Sequence, residues 1–451
     1  MRSFIKRYKI EFAIFFLAVI VRLGFFFVCL LAHGGDLIST IRGQDWYFEV
    51  SRNLLLNGFS AETVAPFTPY SYGVPLYPYF LFGLLWFTKS YAAVAMIQLL
   101  LSATIPLLGM WLARLIIPKE SSFKKVTLIV GILLALAPYQ VLHSFIFFTE
   151  TVFTVLFILF LIVFFRYLKE PSGRSIALAA FLLGLATLTK ATVQYVPILV
   201  AVFMFWRLGM AGLKKFSVHF GYFALIFFIV LSPWLYRNYH TFGVFNISAQ
   251  VSMNMYVTLL PSVLAIDNNT SFVEEQGKLP STENKTLFEV GALAKGQILE
   301  HKIALVKLCM ISAFTFFTHD GMLTFMQNAG ITPSTYLKGP AVLLLLKNPA
   351  EFISTAWSYM HTNLAVVLFA RAFWMVTTIF FFFGLYRLFR YRALSPFMVF
   401  AVVMVFYFML TTMINGLTVN ARFRMPIEPI IFAVAAVGFV PLYDLIKKKI
   451  S

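Results

Sequence analysis

The feature that most constrains this chain is an apolar string of about twenty residues, repeated from one end to the other and broken by short basic clusters. In a bilayer every backbone N–H and C=O needs an internal partner, so only helices or closed barrels can cross it. Strings of this length read as spanning helices. The whole composition agrees, with 60% of residues hydrophobic, 12% charged and a mean hydropathy of +0.85. The chain is therefore an all-α polytopic membrane protein, and its net charge of +18 is read as topology. No nucleic-acid partner follows from it. The two cysteines, Cys29 and Cys309, lie far apart and indicate neither a disulfide framework nor a metal site. The basic start MRSFIKRYK runs into the first string without a small-residue cleavage signature, which predicts an uncleaved first span.

Six basic clusters separate the strings: Arg2/Lys6/Arg7/Lys9, Lys119/Lys124/Lys125, Arg166/Lys169/Arg174, Arg207/Lys214/Lys215, Arg387/Arg390/Arg392 and Lys447/Lys448/Lys449. The positive-inside rule puts all six in the cytoplasm. The spans then run over residues 10–32, 91–116, 126–148, 151–168, 175–189, 193–208, 217–235, 366–386, 395–414 and 426–445. The segment 75–87 is apolar but short, and a full crossing there would put Lys119 outside. It is read as a re-entrant or half-buried piece of the first outer loop, 33–90. Span 175–189 is also short, and is expected to tilt or unwind near Lys190. The stretch 237–364 is read as a large outer-face segment whose polar part, 262–300, is a surface excursion. With no linker or internal repeat, residues 1–451 form one integral-membrane domain. The abundant phenylalanines are read as lipid-facing bulk.

This topology gathers unusual polar residues at the outer helix ends: Asp45, Tyr47, Glu49 and Arg52 after the first span, then Glu150, Lys190, Arg237, Arg422 and Arg424. Each has an ordinary reading. Asp45 could cap the amphipathic helix that follows it and Glu150 could cap span 151–168. Lys190 could snorkel, and the arginines could be interfacial anchors. Collectively they suit a phosphate-bearing lipid substrate, because charges retained at membrane depth are costly and guanidinium forks match phosphate. Arg22, inside the first span, has no partner that the sequence identifies.

At this point the sequence resembles a known group, the polyprenyl-phosphate-dependent glycosyltransferases of GT-C type. Within that group it resembles the bacterial and archaeal proteins akin to the dolichyl-phosphate-mannose–protein mannosyltransferases and to the lipid A aminoarabinose transferase. Four stretches carry the resemblance: Asp45-Trp46-Tyr47 with Arg52–Ser60 and Pro75-Leu76-Tyr77-Pro78; Ala137-Pro138 with Phe148-Thr149-Glu150-Thr151; Gly184–Lys190 with Pro197; and Pro233–Gly243 paired with Ala421–Pro429. The resemblance implies a GT-C-type bundle of about 10–12 transmembrane helices with outer-face interfacial helices. It implies an essential acid in the first outer loop, best matched by Asp45, and a second at Glu150. It also implies phosphate and substrate binding by Lys190, Arg237, Arg422, Arg424, Tyr47 and Arg52.

Two departures stand out. The group's aspartate usually lies about four residues before the tyrosine, where this chain has Gly43, so Asp36 or Glu49 stays open as an alternative to Asp45. The arginine that usually precedes the Pro-Leu-Tyr-Pro-like stretch is replaced by Tyr72-Gly73-Val74. The implied partners are a polyprenyl-phosphate-linked sugar donor, membrane lipid and an acceptor the sequence does not identify, at the outer face of a prokaryotic cell membrane. No cofactor is implied, although the chemistry leaves room for a divalent metal. The competing readings are a lipid-linked-sugar flippase, which needs charges inside the spans such as Arg22 and Arg371, and a non-catalytic scaffold.

Overall fold

The computed structural model describes residues 8–43, 45–58, 60–61, 68–117, 123–281, 287–334, 341–391 and 394–450. Of the basic clusters, Arg2, Lys6, Arg7, Lys119 and Arg392 lie outside this set, as does Phe59 of the first motif. The described residues are almost wholly helical and hold no strand, only an isolated bridge between Ala61 and Pro69.

Among the described residues eight helices are long and apolar enough to cross a membrane: Lys9–Ala32, Tyr91–Ile116, Glu150–Lys169, Ala191–Leu208, Met210–Phe242, Ala365–Arg390, Pro396–Thr418 and Ala421–Pro441. They coincide with eight of the spans read from the apolar pattern. A ninth arises if Phe288–Glu300 and Lys302–Thr318, bent by 103°, count as one, and the shorter apolar helices Leu76–Thr88 and Gly173–Thr189 would bring the total to eleven. The chain is thus an integral, multi-pass membrane protein.

Local chemistry sets the breaks. The predicted span 126–148 is a helix Phe123–Leu136 followed by a short helix Pro138–Leu142. Pro138 has no N–H and bars its predecessor from the helical region, so Ala137 takes φ −56°, ψ 119°. Lys190 ends the Gly173–Thr189 helix in an extended conformation, at the place where unwinding was expected. The Leu213–Phe242 helix runs through Pro233 and past residue 235 to Gly243, whose φ of +70° closes it. Arg237 and Asn238 are therefore on the helix and not in the following loop.

The chain divides into two compact units, the first of Met1–Ile247, Ile379–Val405 and Met425–Ser451, the second of Ser248–Thr378 and Phe406–Arg424. In the first unit, Glu150–Lys169 is surrounded by protein. Its Phe153, Phe157, Phe160, Phe164 and Phe165 are buried, and Phe164 meets Phe400 at 4.8 Å between ring centres. These phenylalanines are core and not lipid-facing bulk, because a helix that is apolar all round is one enclosed by other helices. Arg22 is fully buried, and its partners are neutral: Ser102 Oγ at 3.0 Å and the carbonyls of Ala135 at 3.1 Å and Ala18 at 3.3 Å.

In the second unit, the polar stretch read as a surface excursion packs a core of its own. Tyr256, Leu260, Val263, Val290, Ala294, Ile298 and Leu308 bury one another. Ser262 and Ser312 tie this core to the irregular segment around Gly416, which adopts φ +53°.

Candidate active site

In the first unit the loop after the first span folds onto the turn before Glu150. The Phe147 N–H donates to Ile41 O at 2.8 Å. Gly43 lies so close to this turn that a Cβ there would stand 2.7 Å from Phe147 O and 3.2 Å from the Phe148 ring. This is the position where the resembling group carries its aspartate. A side chain at Gly43 would require this turn to shift.

Among the described residues this loop has three acids, Asp36, Asp45 and Glu49. Asp36 caps the short helix Leu37–Ile41, accepting the Ile38 N–H at 2.9 Å and the Ser39 hydroxyl. The Ser39 bond holds its carboxyl below the usual range. Glu49 is paired with Arg42. Asp45 is half-buried, one residue before the N-cap, Trp46, of the Tyr47–Asn57 helix. Tyr47 is buried, and burial pushes its phenol well above the ordinary value; the nearby Tyr70 and the carboxylates of Asp45 and Glu150 push it the same way. The Tyr47 ring packs edge-on against Tyr77 at 5.3 Å. Tyr77 donates to Gln98 Oε1 at 2.7 Å, and Gln98 in turn donates to Ile146 O at 2.7 Å. This relay locks the aromatic wall to the turn that leads into Glu150.

Glu150 opens its helix, where the dipole favours a carboxylate. It is more than a cap. Its Oε1 lies 2.9 Å from Lys190 Nζ, with the two side chains 1% and 11% exposed. Lys190 does not snorkel outward. The chain break after Thr189 turns it inward, and its ammonium also stands 6.0 Å from the centre of the Phe153 ring. Arg237 lies on the long helix with its guanidinium against Trp234 (4.6 Å) and Phe242 (5.0 Å), donating to Tyr70 O at 2.6 Å. Arg52 is exposed on the far side of the Tyr47–Asn57 helix. Asp45, Tyr47, Glu150, Lys190 and Arg237 thus all belong to the first unit, joined by the contacts around residues 41–48, 70–77 and 146–150.

Arg422 and Arg424 belong to the second unit. Arg424 is fully buried, stacked 3.4 Å from the centre of Trp374, and donates to Phe316 O at 2.8 Å and to His319 O. It binds the carbonyl end of the Lys302–Thr318 helix, as a cation should, so its guanidinium has a structural task and is not poised for phosphate. Arg422 is half-buried, its guanidinium 5.6 Å from the Phe423 ring. Sequence reasoning missed Asp320, whose buried carboxylate pairs with Arg371 at 2.6 Å. It also missed Gln140, which donates to Glu428 Oε2 and Met425 O, both at 3.0 Å. Lone polar residues in apolar runs were the available signal. Among the described residues no group of three or more His, Cys, Asp or Glu side chains could hold a metal ion.

The chain shares its fold with part of a solved oligosaccharyltransferase. The chain is similar to the crystal structure of the Archaeoglobus fulgidus oligosaccharyltransferase in the apo form, with a TM-score of 0.54 and 15% identity over 100% of this chain and 53% of the other. It is similar also to the same enzyme tethered to an acceptor peptide containing the NVT sequon, with a TM-score of 0.51 and 13% identity over 98% and 50% of the two chains. The chain spans about half the length of these structures. No protein-family profile and no curated protein matches it.

Proposed function

We propose that this protein is an inverting glycosyltransferase that moves a sugar from a polyprenyl-phosphate carrier to an acceptor hydroxyl at the outer face of a prokaryotic cell membrane. The observation that carries the reading is the buried Glu150–Lys190 pair, 2.9 Å apart, beside the turn onto which the first loop folds. Asp36 caps a helix and Glu49 pairs with Arg42, while Asp45 precedes the helix whose Tyr47 is buried against Tyr77.

In this mechanism Asp45 accepts the proton of the acceptor hydroxyl as its oxygen attacks the anomeric carbon. The bond to the carrier phosphate breaks on the opposite face, and negative charge grows on the leaving phosphate. Lys190 and Arg237 stabilise that charge. Glu150 orients Lys190 and offsets the cost of burying its charge. Tyr47 forms the wall beside Asp45, and exposed Arg52 attracts the anionic headgroup. Arg422 is assigned to phosphate by its Ala421–Pro429 motif, and Arg424 is reassigned to holding that motif in place. The flippase reading loses its candidates, since Arg22 is held by Ser102 and two carbonyls and Arg371 by Asp320.

The test is Asp45→Asn in membranes assayed with labelled polyprenyl-phosphate sugars, beside Asp36→Asn and Glu49→Gln. Asp45→Asn is expected to lower transfer by roughly 10²–10⁴-fold, the usual contribution of a positioned base, with the other two variants near wild type. Undiminished transfer by Asp45→Asn would refute its role.

A further inference from the structure

The segment that carries Arg422 has little structure of its own. It consists of two 3₁₀ pieces, Met413–Thr418 and Ala421–Ile427, a geometry with weak internal bonding that rarely persists unaided. Its position has to be fixed from outside: within the second unit Ser262 and Ser312 hold the first piece, and two contacts on the second piece, either side of Arg422, come from one residue. The Ala421 N–H donates to His319 Nδ1 at 3.3 Å. The Arg424 guanidinium donates to the His319 carbonyl and to Phe316 O. His319 thus holds the residue before Arg422 by its ring and the second residue after it by its backbone. Between them, Asn420 Oδ1 accepts the Arg422 N–H at 3.0 Å.

His319 is itself held. It ends the Lys302–Thr318 helix with its N–H on Thr315 O, and the next residue, Asp320, accepts the Met322 N–H at 2.7 Å and the Arg371 Nε–H at 2.6 Å. Gly321, at φ +74°, completes the turn.

We propose that His319 is the positioning residue for Arg422, acting through an acceptor nitrogen at Nδ1, and that it thereby sets the affinity for the carrier phosphate. This rests on the assignment of Arg422 to phosphate binding. An Ala421 N–H can donate only to an unprotonated Nδ1, so His319 acts as the neutral ring with its proton on Nε2. The charged groups around it fit that state: burial opposes protonation, Arg371 and Arg424 oppose it further, and only Asp320 favours it.

The tautomer makes the proposal sharp. Asparagine can place an amide oxygen near the position of Nδ1, whereas glutamine places it near Nε2. The experiment measures Kd for a fluorescent polyprenyl phosphate, and for the matching uncharged polyprenol, with the full-length protein in nanodiscs. His319→Leu and His319→Gln are expected to weaken polyprenyl phosphate binding about tenfold, the scale of loss from a displaced binding group, while His319→Asn stays within about threefold of wild type. Polyprenol binding should not change in any of them. Arg422→Ala should weaken phosphate binding, and adding His319→Leu to it should change little more, because the two act on one contact.

Equal losses in His319→Asn and His319→Gln would overturn the proposal, as would full additivity with Arg422→Ala or parallel loss of polyprenol binding. If His319→Leu does not fold, the Asn and Gln variants decide the matter. If Arg422→Ala binds polyprenyl phosphate like wild type, the assignment of Arg422 fails first. That outcome is recognised without reference to any His319 variant, and it removes the proposal with it.

Discussion

The Glu150–Lys190 pair permits a prediction in which stability and activity separate. At 2.9 Å the two unit charges attract by about 6 kcal/mol for an effective dielectric constant near 20. Against this stands a desolvation cost of several kcal/mol for each ion. The net value of the intact pair is therefore small, but the value of either partner to the other is large. Glu150→Gln leaves the Lys190 ammonium, 11% exposed, without its carboxylate, and Lys190→Met leaves the reverse. Each single change should destabilise the protein by roughly 3–5 kcal/mol, and Glu150→Gln/Lys190→Met together by clearly less than the sum. Activity should not recover with stability. If Lys190 steadies the leaving phosphate, the double variant still lacks that cation, and transfer should stay down by about 10²–10³-fold. The assay is a double-mutant cycle of thermal inactivation in detergent, followed by size-exclusion chromatography, with transfer measured on the same samples. Additive destabilisation would show that the two charges do not depend on one another. A stable double variant with full transfer would show that the pair is only structural.

Three further outcomes follow. Gly43→Ala should impair folding and transfer together, by about 1–3 kcal/mol on the melting side, since its Cβ would meet a backbone oxygen at 2.7 Å. Gly384→Ala should lower thermal stability by a similar amount and leave donor affinity unchanged in whatever folds, because its Cβ would stand 2.1 Å from Val434 O where two helices touch backbone to backbone. On acidification, the lowered pKa of His319 means that the folded protein binds fewer protons there than the unfolded chain below the ordinary value of 6.5. That contribution to stability is complete above about 6.5 and is lost as the pH falls below it, so wild type should lose more melting temperature between pH 7.5 and 5 than His319→Asn does.

The bundle was legible because twenty apolar residues permit few structures, and eight spans lie where the pattern puts them. What the pattern could not convey is which side of each helix meets protein. Phe157 and Phe164 look like lipid-facing residues until Glu150–Lys169 is seen to be enclosed, and Arg22 looks unpaired because its partners, Ser102 and the carbonyl of Ala135, carry no charge. Pro138 announced a break, whereas Pro233 did not produce one, since a proline within an apolar helix can be accommodated by its surroundings. Glu150 and Lys190 were each singled out, but forty positions of sequence separate them, and no local rule joins them.

Gly43 is the clearest case of packing reversing an inference. Measured against the resembling group, a glycine where an aspartate is usual weakens the match and suggests a decayed site. In three dimensions the carbonyl of Phe147 and the ring of Phe148 fill the place where that side chain would begin. The contact that excludes an acid at position 43 is part of the same turn that delivers Glu150. The departure from the pattern at position 43 thus coincides with a specific close approach in the fold.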